Sequence, residues 1–433
     1  MTLIRRSSAA RRSIEDRGVS QLCASRRGPR CVALASALAC CIVWSSSGAA
    51  RADEDPGRTE LGFFPLVGGD TDLGIGGGAF VSLARYEPGY SPFRYRLEVA
   101  GAITFKPVTD GLTVPFQDIY LDLTLPDLIR KRLRLEVRPS YTRESTLGYY
   151  GIGNASPPPN FGSGTRSERQ YYQYGLMHPT LLLRLRIYLT ETLVLELGEL
   201  LTFERPEIHP GSLLDRDMTN PAVQRFFGSR KPHLLNVFEY TLYFDTRDQE
   251  TSTRWGMFHE LRLRLSPGGV DPMPYRYGQI NLTLRGFKSY GIWTFAGRIV
   301  ADSLFGHAPF YELPRYEDTF ALGGANGVRG IPAQRYAGKQ KLFANLEVRV
   351  QLASFRLIGL PCKLLGVLFF DAGRLWSDLP ADPALDGRSF GLKWGTGGGL
   401  RLQQGKAFVV RGDVAWSPDA RPIGAYVTSG QVF

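Results

Sequence analysis

Strict period-two alternation, with one apolar face and one densely charged face, recurs along this chain and limits its possible folds more than any other feature. Between residues 342 and 352, Ala344, Leu346, Val348, Val350 and Leu352 share one face, and Phe343, Asn345, Glu347, Arg349 and Gln351 share the other. Over 132–138, Leu133, Leu135 and Val137 oppose Arg132, Arg134, Glu136 and Arg138. Over 183–189, Leu183, Leu185, Ile187 and Leu189 oppose Arg184, Arg186 and Tyr188. Residues 260–265 and 279–285 repeat the pattern. A two-residue period belongs to strands, not helices. So many charges on the second face require water or a polar lumen. Beyond residue 52 no stretch approaches the roughly twenty apolar residues of a spanning helix. If the chain crosses a membrane, only a closed barrel can satisfy its backbone.

Alternation alone fits a soluble sandwich as well as a membrane barrel, and the lengths of the connections separate the two. The pattern predicts sixteen strands, at 59–67, 73–86, 93–106, 116–125, 132–143, 171–189, 193–204, 235–245, 257–265, 278–287, 292–304, 342–352, 364–376, 390–402, 407–416 and 425–433. The three longest connections, 144–170, 205–234 and 305–341, are odd-numbered; the tight turns 87–92, 190–192, 288–291 and 403–406 are even-numbered. Long and short connections alternating along a meander match the outer loops and periplasmic turns of an outer-membrane barrel. Tyr and Phe, 20 and 25 in number, cluster near strand ends as interface girdles require. The expected fold is all-β: a sixteen-stranded antiparallel transmembrane barrel.

Residues 1–52 stand apart. Nine Arg face only Glu15 and Asp16, an apolar run extends from Cys31 to Trp44, and Ala50, Arg51 and Ala52 form a small-residue cleavage site. This order is that of a secretory signal peptide, leaving 53–433 as the barrel domain. Only Asp53 to Arg58 would separate leader from first strand, too few for a folded periplasmic domain. Removing the leader leaves 43 basic against 39 acidic residues, a net charge of +4, so a nucleic-acid role loses its support. Of five cysteines only Cys362 remains, which excludes an internal disulfide.

Two clusters carry chemistry. One runs from Phe320 through Gly323, Gly324, Gly327, Val328, Arg329, Gly330 and Ile331 in the longest connection; the other is Phe369, Asp371, Gly373 and Trp376 in the thirteenth strand. Glycines let the loop fold tightly and approach a barrel wall. Arg329 inside a barrel needs a carboxylate partner, because an unpaired charge away from bulk water is costly. Asp371 and Glu347 are the candidates, and an Arg fork can grip such groups bidentately. That pairing would fold the long sixth outer loop into the lumen. The glycine runs at 74–78 and 395–399 precede neither a helix nor a Lys-Ser/Thr pair, so they read as strand glycines that relieve crowding rather than phosphate loops. The five His (178, 209, 233, 259, 307) have no metal-ligand spacing, and no cofactor is implied. His178 is the one candidate for a barrel hydrolase, and a structural histidine explains it better. Glu347 and Asp371 would be held ionised by Arg329, which defeats a general acid. No enzymatic activity is expected.

The two clusters resemble motifs of the bacterial surface antigen family, the barrels of BamA- and TamA-type assembly and translocation proteins. In that family a Val-Arg-Gly-aromatic motif tips the loop before strand twelve, and Phe-x-Asp-x-Gly lies on strand thirteen. Asp245, Arg247 and Asp248, followed by Gly256, resemble its strand–turn–strand signature. Gly430 to Phe433 resemble its last strand, a C-terminal barrel signal ending on an aromatic residue. The resemblance spans the whole chain after the leader. Two features depart from it: Ile331 stands where the aromatic is usual, and the family's periplasmic polypeptide-transport-associated domains are missing. The resemblance implies insertion or translocation of polypeptides or lipids at the bacterial outer membrane, through a weak seam between the first and last strands. Gly62 and Gly430 would weaken that seam. Implied partners are outer-membrane lipid, nascent barrel proteins, and a periplasmic chaperone or separately encoded receptor domain. A different class of function also fits the residues: a passive pore or structural surface protein that kept the fold. Arg132, Arg134, Arg184, Arg186, Arg262 and Arg264 would make such a pore favour anions.

Overall fold

The computed structural model describes residues 57–433 apart from 91, 130–131, 163, 317–318, 358–359 and 406–407. The leader expected at 1–52 lies outside the described residues. Sixteen long strands follow one another: β1 (Arg58–Asp70), β2 (Gly74–Tyr86), β3 (Tyr95–Val108), β4 (Phe116–Leu125), β5 (Leu133–Gly148), β6 (Gln173–Tyr188), β7 (Leu193–Ile208) and β8 (His233–Asp245). β9 (Trp255–Pro267), β10 (Arg276–Tyr290), β11 (Trp293–His307), β12 (Gln340–Leu357), β13 (Leu360–Trp376), β14 (Lys393–Gln404), β15 (Phe408–Ser417) and β16 (Ala420–Ser429) complete the series. Each pairs antiparallel with the next, and β1 returns to β16, so the sheet closes into a barrel. Closure covers the edges that an open sheet would expose, except, among the described residues, along 58–68 of β1. Among the described residues no helix is long and apolar enough to cross a membrane.

The alternation read in the sequence becomes an inverted core. Leu261, Ile280, Leu282, Ile299, Leu346 and Leu368 are exposed on the outer face, whereas the bulkiest fully buried side chains include Arg262, Arg315, Arg329, Arg401 and Arg411. A water-soluble fold would reverse this, because apolar surface leaves water and unpaired charge stays in it. An apolar exterior around a charged interior suits a lipid surround. The inward charges are paired within and between strands. Arg262 meets Glu260 at 2.7 Å, Arg264 meets Glu239 at 2.8 Å, Arg184 meets Glu196 at 3.0 Å and Lys341 meets Asp302 at 2.8 Å.

The long connections gather at one end as expected, although the short turns 71–73 and 418–419 lie at that end too. Residues 149–172, 209–232, 308–339 and 377–392 emerge at one end, and tight turns such as 291–292 and 189–192 lie at the other. The long connections pack together: Tyr149 and Ile152, Leu214, Phe226 and Phe227, and Phe310, Tyr311 and Leu313 form one buried apolar cluster with Tyr174 and Leu176.

The last strand differs from its expected 425–433. It begins at Ala420, after the two-residue turn 418–419, and ends at Ser429. Gly430 then takes a φ of 80°, which turns the chain out of the sheet. Phe433 stands inside the barrel, with its ring centre 6.2 Å from that of Phe287 and 5.2 and 5.6 Å from the guanidinium carbons of Arg298 and Arg349. Arg298 also donates to the Val432 carbonyl at 3.3 Å.

Candidate functional site: the loop tip and the seam

The connection 308–339 carries Arg329 to the inward faces of three strands. Asp371 lies on β13, Glu347 on β12 and Asp413 on β15. Arg329 Nε donates to Asp371 Oδ2 at 2.7 Å and Nη2 to Asp371 Oδ1 at 3.0 Å, a bidentate fork. Its Nη1 donates to Glu347 Oε1 at 2.8 Å and to Asp413 Oδ2 at 3.2 Å. Its backbone N–H reaches Asp371 Oδ2 at 3.1 Å. The Phe369 ring lies 3.5 Å beneath the guanidinium, which adds a cation–π contact. Burial by itself would lower the proton affinity of Arg329, but Asp371 and Glu347, with Asp413, hold it charged well above its ordinary range. Arg349 and Arg401 flank the cluster and share Glu347. The group is therefore a closed ion-pair network, arranged to hold a loop rather than to move a proton.

The rest of the tip is apolar and equally buried. Val328 and Ile331 pack with Val300, Tyr316, Leu322, Tyr336, Phe343 and Leu375. Ile331 thus sits inside an apolar cluster, where its branched side chain fills the place expected for an aromatic. Gly323 and Gly324 take φ values of 142° and 73°, and Gly324 N–H bonds the Ile331 carbonyl at 2.8 Å to close the turn. Gly373 faces the loop so closely that a Cβ there would stand 2.4 Å from Phe343 Cβ and 2.6 Å from the Leu322 side chain.

Both expected partners of Arg329 therefore meet it, and Asp413 joins them. Asp413 alternates in phase with Arg411 in a strand the sequence did reveal, so its face was legible although its level on the barrel was not. Gly430 and Phe433 lie apart from the motif, and Phe433 reaches its surroundings through Arg349 and Arg298. His178 meets Glu144 Oε2 at 3.2 Å, and Arg315 donates to the same oxygen at 3.1 Å, an ion-pair arrangement.

The seam is short. β1 and β16 pair only at Gly69–Val427 and Asp70–Tyr426, with one further bond from Thr71 N–H to the Ala425 carbonyl at 3.3 Å. Across its other edge β1 makes thirteen pairs with β2, so the first hairpin is firm and its junction with the last strand is not. Arg58 to Gly68 have no pairing partner on β16 among the described residues. Pro65 lies in this stretch, and proline is tolerated in a strand only where its missing N–H leaves no rung unmade. Gly62, expected to weaken the seam, lies in this unpaired stretch and pairs with Ser82 on its β2 side. The seam is short because the chain turns inward at Gly430.

With this geometry in place, the chain can be set beside known proteins. An Omp85 superfamily domain model matches residues 117–426. BamA from Haemophilus ducreyi lacking POTRA domains 1–3 superposes with a TM-score of 0.57 at 12% identity, covering 86% of this chain and 70% of that one. CdiB from Escherichia coli superposes with a TM-score of 0.52 at 15% identity, covering 88% of this chain and 64% of that one. At such identities the likeness is one of fold, and this chain spans about two thirds of the length of those solved chains. No curated protein matches it by sequence.

Proposed function

Because the chain belongs to the Omp85 superfamily and is a barrel of the bacterial outer membrane, we propose that it inserts or translocates polypeptides or lipids there by parting β1 from β16. The observation that carries this reading is the seam of two residue pairs, beside an edge of β1 left unpaired from Arg58 to Gly68. Such an edge offers backbone N–H and C=O groups to an incoming strand, the physical basis of β-augmentation. Opening costs little, since each rung of the ladder contributes only about 1 kcal/mol net.

In this reading the connection 308–339 folds into the lumen, and Arg329 is its anchor. A nascent barrel protein is the client, and a separately encoded receptor domain or periplasmic chaperone delivers it. The pairing of inward arginines weighs against an anion-favouring pore. Arg134, Arg184, Arg262 and Arg264 are all buried, and the last three meet carboxylates within 3.5 Å.

The test locks the seam. Cysteines at Thr71 and Ala425, in a Cys362→Ala background, would form a disulfide across it. In liposomes the oxidised protein should lose assisted insertion of a second barrel and regain it on reduction. Equal insertion by the locked and reduced forms would overturn the proposal.

A further inference from the structure

Two backbone N–H groups of the 308–339 connection, three residues apart, reach opposite lips of the seam. Gly330 N–H donates to Tyr426 Oη of β16 at 3.1 Å. Ala333 N–H donates to Asp72 Oδ2, at the tip of the β1–β2 hairpin, at 3.0 Å. Each acceptor is itself positioned. Tyr426 is buried and pairs in the seam with Asp70. Asp70 Oδ1 accepts the N–H groups of Asp72 at 2.8 Å and Leu73 at 2.6 Å, which shapes the hairpin tip. Lys106 Nζ bonds the carbonyls of Thr71 at 2.8 Å and Asp72 at 2.9 Å, tying the tip to β3. The segment that grips both lips follows directly on Arg329, whose fork is fixed to β12, β13 and β15.

We infer that this loop is a staple across the seam: Asp72 and Tyr426 are positioning residues through which the loop holds β1 against β16. The inference rests on the seam reading above and adds to it the element that sets the closed state. Two strand pairs alone make a weak closure. The two loop bonds add to it from the side, and both are made only when the loop is seated. Releasing the loop then releases the lips, so an event that displaces the Arg329 tip is transmitted to the seam without any change within β1 or β16.

Spin labels at Val67 and Ala425, outward and exposed on the two strands, would report the width of the seam in the full-length protein in liposomes. Tyr426→Phe removes only the hydroxyl acceptor, and Asp72→Ala removes only the carboxylate. Each should lengthen and broaden the label separation by about one strand spacing, ~5 Å. Asp72→Asn keeps an oxygen acceptor for Ala333 N–H and should restore the wild-type distance. A heat-modifiable gel shift verifies that each variant forms a barrel. An unchanged distance in both Tyr426→Phe and Asp72→Ala would overturn the staple, as would an Asp72→Asn distance equal to that of Asp72→Ala. The distance does not depend on transport, so a widened seam without altered barrel insertion would count against the proposed function and leave the staple standing.

Discussion

Gly395 lies directly beneath Arg329: a Cβ at this glycine would stand 1.9 Å from the Arg329 carbonyl oxygen. The glycine run of β14 is thus the floor on which the loop tip rests, and no other residue leaves that space empty. Gly395→Val should push the tip off the wall without altering a single charge. The expected result is a lower heat-induced gel-shift temperature and a raised basal conductance, while Gly405→Ala, in an open turn, should change conductance little.

Removing Arg329 takes away the guanidinium that Asp371 grips, while Glu347 keeps Arg349 and Arg401 and Asp413 keeps Arg401. Breaking a buried pair on one side typically costs about 3–5 kcal/mol. Arg329→Ala should loosen the loop and lower the gel-shift temperature, and Arg329→Lys should rescue it only in part, because Lys lacks the planar fork. Asp371→Ala should mimic Arg329→Ala, and the double variant should be no worse than the worse single. Strictly additive losses would show that the two residues do not act as a unit.

Burial and the neighbouring Asp70 carboxylate push Asp72 up to about 7, against an ordinary 3.8. A raised carboxyl value means the folded protein keeps a proton that the unfolded chain releases. Stability from this group is therefore greatest at low pH and is lost as pH rises from about 4 through about 7. The facing groups are Asp70, Lys106, Tyr150 and Tyr426. Lowering the pH from 8 to about 5.5 should raise the gel-shift temperature, and Asp72→Asn should flatten that component of the profile. A wild-type profile retained by Asp72→Asn would assign the effect elsewhere.

Seating of the loop predicts a labelling contrast on whole cells. Asn326 contacts Arg411 and gives its carbonyl to Arg298, deep in the ion-pair network. Asn220, in the 209–232 connection, is exposed. A membrane-impermeant thiol reagent should leave Asn326→Cys unmodified and label Asn220→Cys; equal labelling would refute a loop folded into the lumen.

The leader yields a mass prediction. Protein purified from membranes should begin at Asp53, as intact mass or N-terminal sequencing would read, and a lipidated Cys40 would contradict it.

The sixteen strands were legible because several carry the two-residue period that a lipid-facing wall imposes and the connection lengths divide the rest; β1 itself shows no such period. Their ends were less so: β7 continues to Ile208 rather than 204, since Glu204 to Ile208 alternate without an apolar face that marks a membrane boundary. Alternation also gave the face of Glu347, and the motif of the thirteenth strand gave Asp371, hence the partners of Arg329. It could not give height, because which inward residues share a level depends on strand stagger across the barrel. Asp413 was missed for that reason. The inward turn of the tail depends on a positive φ at Gly430, and a glycine one residue past a strand looks in sequence like any other strand glycine.

The two-pair junction between β1 and β16 has a geometric consequence. A ring of sixteen strands has a fixed circumference, set by its strand count. Parted at that junction, the same chain becomes a ribbon with fifteen intact interfaces. A ribbon can lengthen by a foreign strand at about 4.8 Å apiece. If the seam parts as proposed, the perimeter of this barrel becomes an adjustable quantity, while the ion-paired wall from β2 to β15 keeps its shape.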